Sequence, residues 1–306
     1  MKFVSAPLDV VAEPFARLPA EFHHRGEPNE WVRTTRPGQR LHSFFDGCVF
    51  DAEGNLWLAD VPYGRLFRID PAGRWSLAHH YDGEPHGLAL LPRGNFVIAD
   101  YRFGLLDFDP KAGAISVVCE RVNSERFRGL SDVKRAPNGD LWFTDPGRSS
   151  LSDPTGRVFH LRTGQTHPEM VLANVPYPNG IALNADGSSV YVAATRSNAV
   201  WRLLAEAPDP VFPMAGIFLQ LSGGLGPDGI AIDRAGHIAV AQAQAGRAYV
   251  FSPVGDCVAC IRAPEGTWTT NVCFSPDDRW LYLVEAQCGA ISRIDMSSLS
   301  TPGPKT

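Results

Sequence analysis

Six polar residues recur at one place in a repeating pattern: Asp46, His86, Ser131, Asn179, Asp228 and Asn271. Gathered round one axis, two carboxylates and two amides would offer the oxygen ligands that hard cations such as Ca2+ or Mg2+ prefer. A histidine in the same ring extends the range to Fe2+, Mn2+ or Zn2+. The plainer reading is that Asp, Asn and Ser open strands because they satisfy local backbone donors. Only convergence separates the two, so the elements that carry the six residues decide.

Those elements announce themselves as a repeat. Short turn sequences stand at DAEGN (51–55), LPRGN (91–95), APNGD (136–140), NADGS (184–188), DRAGH (233–237) and SPDDR (275–279). Taking Gly54, Gly94, Gly139, Gly187, Gly236 and Arg279 as equivalent gives steps of 40, 45, 48, 49 and 43 residues. Glycine at five of the six suits a hairpin turn that needs a positive φ. In the sixth, Asp277 and Asp278 are available instead. Each turn is followed by strand-like runs such as LWLAD (56–60) and GRLFRID (64–70), alternating apolar and polar residues. That is the half-buried strand pattern. Six copies of this length predict an all-β fold, a six-bladed β-propeller. The sixth copy ends near residue 295 without an outermost strand, so residues 8–18 are expected to supply one and close the ring. One domain over 1–306 follows, with a polar tail from about 297 to 306.

Counting back eight residues from each turn position lands on the six polar residues. The next positions are Gly47, Gly87, Asp132, Gly180, Gly229 and Val272, and apolar residues follow in nearly every copy. Each polar residue therefore sits where an innermost strand begins, and six such starts meet at one end of a propeller's channel. A second recurring place lies six residues after the turn: Asp60, Asp100, Asp145, Ala193, Gln242 and Glu285. These are expected at the opposite rim or the blade junctions, bonding backbone.

Composition narrows the function. A net charge of −5 and a pI near 6.0 provide no basic field for nucleic acid or an anionic membrane. The N-terminus lacks a signal peptide's apolar run, and no stretch approaches the roughly 20 apolar residues of a membrane span. The expected setting is cytoplasmic, with a small-molecule substrate; oligomeric state is not encoded legibly. Six cysteines at irregular spacings, with one isolated CxxC at 257–260, read as reduced side chains rather than a zinc or redox site. No G-x-S-x-G elbow and no phosphate-binding loop is present.

Several stretches, PNGIALNADGSSVYVA (178–193), PDGIAIDRAGHIAVA (227–241), SDVKRAPNGDLWFTDP (131–146) and TNVCFSPDDRWLYLV (270–284), resemble the gluconolactonase and senescence-marker-protein (regucalcin) family of six-bladed propellers. The resemblance runs from about residue 40 to 295. It implies a divalent cation at the channel mouth, most often Ca2+, with Asn179 and Asp228 matching the family's Asn and Asp ligands. Asp46 stands where the family has Glu, and Ser131 where it usually has Asn. The implied reaction is hydrolysis of a lactone by a metal-dependent carboxylic-ester hydrolase, with Asp228 as general base. His86 is the alternative base or a substrate contact. Arg128, Asn271 and Tyr177 are further substrate-binding candidates, with Phe45 and Trp268 beside Tyr177 as an apolar wall. Rival readings are a phosphotriesterase-like or other ring-opening hydrolase at the same cation, and a propeller that binds a ligand or protein without catalysis.

Overall fold

The computed structural model describes residues 6–206 and 214–299. Its strands form six sheets set round an axis, the six-bladed β-propeller the repeat predicts, and a separate two-stranded hairpin, Arg121–Val122 with Glu125–Arg126. Blade 1 shows the plan. Its strands Phe45–Phe50, Leu56–Asp60, Arg65–Ile69 and Trp75–His80 run antiparallel in sequence order, outward from the channel. Blades 2 to 5 repeat it over 85–119, 133–175, 178–220 and 226–262. In blade 6 the chain itself supplies three strands, Thr269–Phe274, Trp280–Glu285 and Ala290–Asp295.

The fourth strand of blade 6 is Glu13–Arg17, paired antiparallel with Ala290–Asp295. The N-terminal segment thus closes the ring. It also does something the sequence pattern did not indicate: Leu8–Val11 first pairs in parallel with Cys257–Arg262, extending the edge of blade 5. The segment therefore ties two blades together, with buried Ala12 between its two strands. The expected C-terminal tail begins later than 297. Residues Met296–Leu299 form a 3-10 turn whose Leu299 is buried against blades 5 and 6, and the tail from residue 300 lies outside the described residues.

Each junction between neighbouring blades holds its own apolar cluster, from Trp57 with Phe96 and Phe108 between blades 1 and 2 to Val250 with Leu283 between blades 5 and 6. Face-to-face burial of alternate residues makes the blades stack, and stacking sets the innermost strands side by side round the channel. The six cysteines are free, as expected; Cys48, Cys119 and Cys273 are buried and the others partly so. Among the described residues no helix is long and apolar enough to cross a membrane.

One departure from the plan covers the channel mouth. Residues 20–44 form an excursion containing the helix Glu30–Thr35. Asn29 caps it by accepting a hydrogen bond from the Val32 N–H at 3.0 Å. Val32 is fully buried with Leu41, Phe44 and Trp268, which pins this short helix over blades 1, 5 and 6.

Candidate functional site

Strand register fixes which residue of each blade faces the mouth. Phe45 pairs with Asp60, and after a bulge Cys48 pairs with Leu58, leaving Asp46 and Gly47 unpaired between them. The same bulge recurs in blades 2, 4 and 5 at His86–Gly87, Asn179–Gly180 and Asp228–Gly229. In blade 3, Ser131 and Asp132 precede Val133, which pairs with Phe143. A bulge next to a ladder is a common way to turn a side chain toward a site. Five of the six predicted residues therefore occupy equivalent places and come together.

The sixth does not. In blade 6 Thr269 pairs with Glu285 and Val272 with Leu283, so Thr270 is the residue equivalent to Asp46, and Asn271 is equivalent to Gly47. The cause is the turn: Asp278, at φ 59°, holds the left-handed position that Gly54 holds in blade 1. Its N–H bonds to the Ser275 carbonyl, as the Gly54 N–H bonds to Asp51. Counting from Arg279 shifted the register by one. Asn271 accordingly sits one layer deeper in the channel, beside Asp132, while Thr270 lines the mouth.

This second layer explains the glycines. A side chain on Gly87 would collide with Asp132, and one on Gly229 with Asn271. Gly87 and Gly229 leave room for these two polar side chains, while Gly47 and Gly180 let the backbone of the next blade come close. The Asp132 carboxylate accepts from the Val133 N–H at 2.9 Å and from the Ile181 N–H of the next blade at 3.0 Å. Lys134 lies 3.4 Å away.

In the mouth layer the residues pair across blades. His86 Nδ1 and Asp46 Oδ2 are 2.7 Å apart, and Asn271 Nδ2 donates to the other Asp46 oxygen at 3.3 Å. The Ser131 hydroxyl donates to Asn179 Oδ1 at 2.6 Å, and the Asn179 amide lies beside the Asp228 carboxylate. Asp228 is only 8% exposed. Burial, then the negative charges of Asp46 and Asp132, push its carboxyl well above the usual carboxylate range. His86 Nε2 is buried without a partner, so the ring's contribution here is to hold Asp46.

A cavity of about 700 Å³ rises above this floor, within the range of small-ligand pockets. Tyr177, Trp268 and Phe44 form its aromatic wall, beneath Trp31 of the covering helix. Phe45 does not: it is wholly buried against Phe67 and Trp75, because it is the paired residue before the bulge. Tyr177 adopts φ 59° beside Asn179, and burial with the nearby Asp228 charge pushes its hydroxyl up to about 12. Arg128 also leaves the site. Its guanidinium donates to the Thr155 carbonyl at 2.7 Å and pairs with Glu125 on the surface. The sequence reading missed Arg36, Arg148 and Arg196, all on the cavity wall. They lie in connections that do not share the repeat's strand and turn pattern, and no signal in the sequence marks them.

Among the described residues no three His, Cys, Asp or Glu side chains form a metal cluster. The donor set is mixed: two carboxylates, an amide carbonyl and a hydroxyl, all oxygen. Asp228 repels Asp46 and Asp132 in a buried setting, an arrangement that a divalent cation would relieve. The residues fit such an ion.

A propeller whose mouth carries acidic and amide oxygens beneath a covered cavity is the class that fold and geometry define. Residues 46–287 match the SMP-30/Gluconolactonase/LRE-like region, and the chain belongs to that family. Lactonase drp35 of Staphylococcus epidermidis is 26% identical over 76% of this chain and 73% of its own. The gluconolactonase of Zymomonas mobilis is 27% identical over 78% and 75%. The solved structure of a calcium-binding protein, regucalcin, from Agrobacterium tumefaciens superposes with a TM-score of 0.74 at 22% identity, covering 95% of each chain. The family match begins at Asp46, so the covering excursion lies outside it.

Proposed function

We propose that this protein is a divalent-metal-dependent hydrolase that opens a small-molecule lactone, working as one propeller unit in the cytoplasm. The observation that carries the reading is Asp228, a buried carboxylate that makes no ion pair among the described residues, on the floor of a covered cavity. The names of the curated relatives, lactonase and gluconolactonase, supply the reaction class. A divalent cation held by Asp46, Asn179 and Asp228, with Ser131 beside it, would polarise the ester carbonyl and acidify a water. Ca2+ is the first choice, given an all-oxygen donor set and a calcium-binding structural neighbour.

The chain's own residues do the rest. Asp228 takes a proton from the attacking water, whose oxygen bonds to the acyl carbon. The ring C–O bond then breaks, and its oxygen leaves as an alcohol once protonated. His86 and Asn271 fix the Asp46 carboxylate from two sides, and Ser131 fixes the Asn179 amide. Trp31, Phe44 and Trp268 exclude bulk water from above, which strengthens every charge interaction beneath them. The test is a lactone panel assayed before chelation, after it, and after each metal is restored. Turnover should vanish with the metal and return with it; full turnover in protein shown metal-free by elemental analysis overturns the proposal.

A further inference from the structure

The cavity is not electrically uniform. Toward blade 2 its wall carries Glu30 and Glu84, together with Arg102, which is paired with Asp82. Its wall also carries Arg148 of blade 3 and Arg196 of blade 4, with Arg36 over Trp268. Elsewhere in the fold comparable arginines have carboxylate partners: Arg65 has Asp60, and Arg157 has Asp145. These three have none among the described residues.

Arg36 is the most unusual of them. Its guanidinium lies 3.8 Å above the Trp268 ring and 4.7 Å from Phe44, with Trp31 at 5.9 Å. Its Nε is buried and unbonded, and only Nη1 has a partner, the neighbouring Thr35 carbonyl at 3.1 Å. Burial lowers the proton affinity of this group, so keeping it charged here costs free energy. The charges acting on it are the opposite charge of Asp228 and the like charge of Arg196. Arg196 in turn stands over the Tyr177 ring at 5.5 Å. Two guanidinium groups that repel each other, one lying over aromatic rings with its Nε unbonded among the described residues, form a receptor for a planar anion.

We propose that the substrate carries a carboxylate of its own, making it the lactone of a dicarboxylic acid. The free carboxylate sits between Arg36 and Arg196 while the ring ester lies over Asp228 and Asn179. This rests on the lactone-hydrolase reading and deepens it. The covering helix thereby selects substrate, because Arg36 directly follows it and its backbone N–H closes the last turn onto the Val32 carbonyl at 2.8 Å.

The experiment compares two six-carbon lactones of equal ring size, glucarolactone ending in a carboxylate and gluconolactone ending in CH2OH. The native protein should prefer glucarolactone by at least about tenfold in kcat/KM. Arg36→Gln should raise KM for glucarolactone about tenfold or more beyond any change on gluconolactone, as loss of one charge-assisted fork predicts. Arg36→Lys should rescue little, since it keeps the charge without the planar fork. An unchanged melting temperature shows that the variant is folded. Equal use of both lactones, equal loss on both in Arg36→Gln, or preference for a phosphorylated lactone overturns the proposal. Calorimetry with glucarate separates the two readings. If neither lactone is hydrolysed, the lactonase reading fails, yet glucarate binding that Arg36→Gln abolishes still supports the anion seat. Absence of glucarate binding overturns it.

Discussion

Two sets of acidic side chains share one rim of this propeller, and they are treated in opposite ways. Asp60, Asp100, Asp145 and Glu285 end the second strands, and antiparallel pairing puts those ends beside the starts of the innermost strands. They therefore lie at the same rim as the mouth, not at the opposite one. Each is saturated. Asp100 accepts from the Tyr81 hydroxyl and from the N–H groups of Glu84, Arg102 and Phe103, all within 2.8–2.9 Å. Asp145 accepts from the N–H groups of Arg128 and Gly129 and from Arg157. Asp60 takes the Phe44 N–H at 2.7 Å, and Glu285 the Trp268 N–H at 2.9 Å. These donors lie just before Asp46, His86, Ser131 and Thr270, so the saturated acids hold in place the segments that carry the mouth residues. Asp228, buried to a similar degree, has one amide contact and faces the cavity. Lone pairs that the fold has used are structural; lone pairs left open beneath a cavity are available for chemistry.

The comparison breaks most sharply at its two extremes. Asp228→Asn keeps the shape and removes the charge, so catalysis should fall by about a thousandfold or more. The melting temperature should hold or rise, because a buried charge repelled by Asp46 and Asp132 is gone. A large drop in melting temperature would mean that Asp228 belongs with the structural acids. Asp145→Ala should do the reverse. It leaves the buried Arg157 guanidinium with only the exposed Glu125 and strands two backbone donors, and a cost of about 3 kcal/mol in denaturant unfolding is expected. A loss under about 1 kcal/mol would show the bonds to be dispensable.

How far the sequence revealed this follows from the same physics. The propeller was legible because left-handed turns demand glycine and half-buried strands alternate, so the two signals recur together. Five mouth residues were legible for the same reason. Asn271 was misplaced because the sixth turn puts Asp278 at the left-handed position. Ala193 missed by one because the fourth hairpin carries an extra residue, which brings Ala194 opposite Pro178. Contacts made outside the repeat had no period to betray them. The helix at Glu30–Thr35 is too short to show amphipathic periodicity, and nothing local tells that Arg36 stacks on Trp268, far along the chain.

Arg128 gives the smallest expected effect and the finest discrimination. Its neighbours in sequence, Gly129 and Ser131, lead into the mouth, which made it a candidate for holding substrate. Its own backbone N–H does belong to the structural set, bonded to Asp145 at 2.8 Å. The side chain turns the other way, to Glu125 and the Thr155 carbonyl, and is 42% exposed. Arg128→Gln keeps that backbone bond and removes a surface ion pair and an exposed bond to the Thr155 carbonyl, a change of about 1 kcal/mol in stability. Lactone KM should stay within about twofold of native. A tenfold rise in KM at unchanged stability would put the guanidinium back at the mouth, and would show that its segment reorganises when substrate arrives.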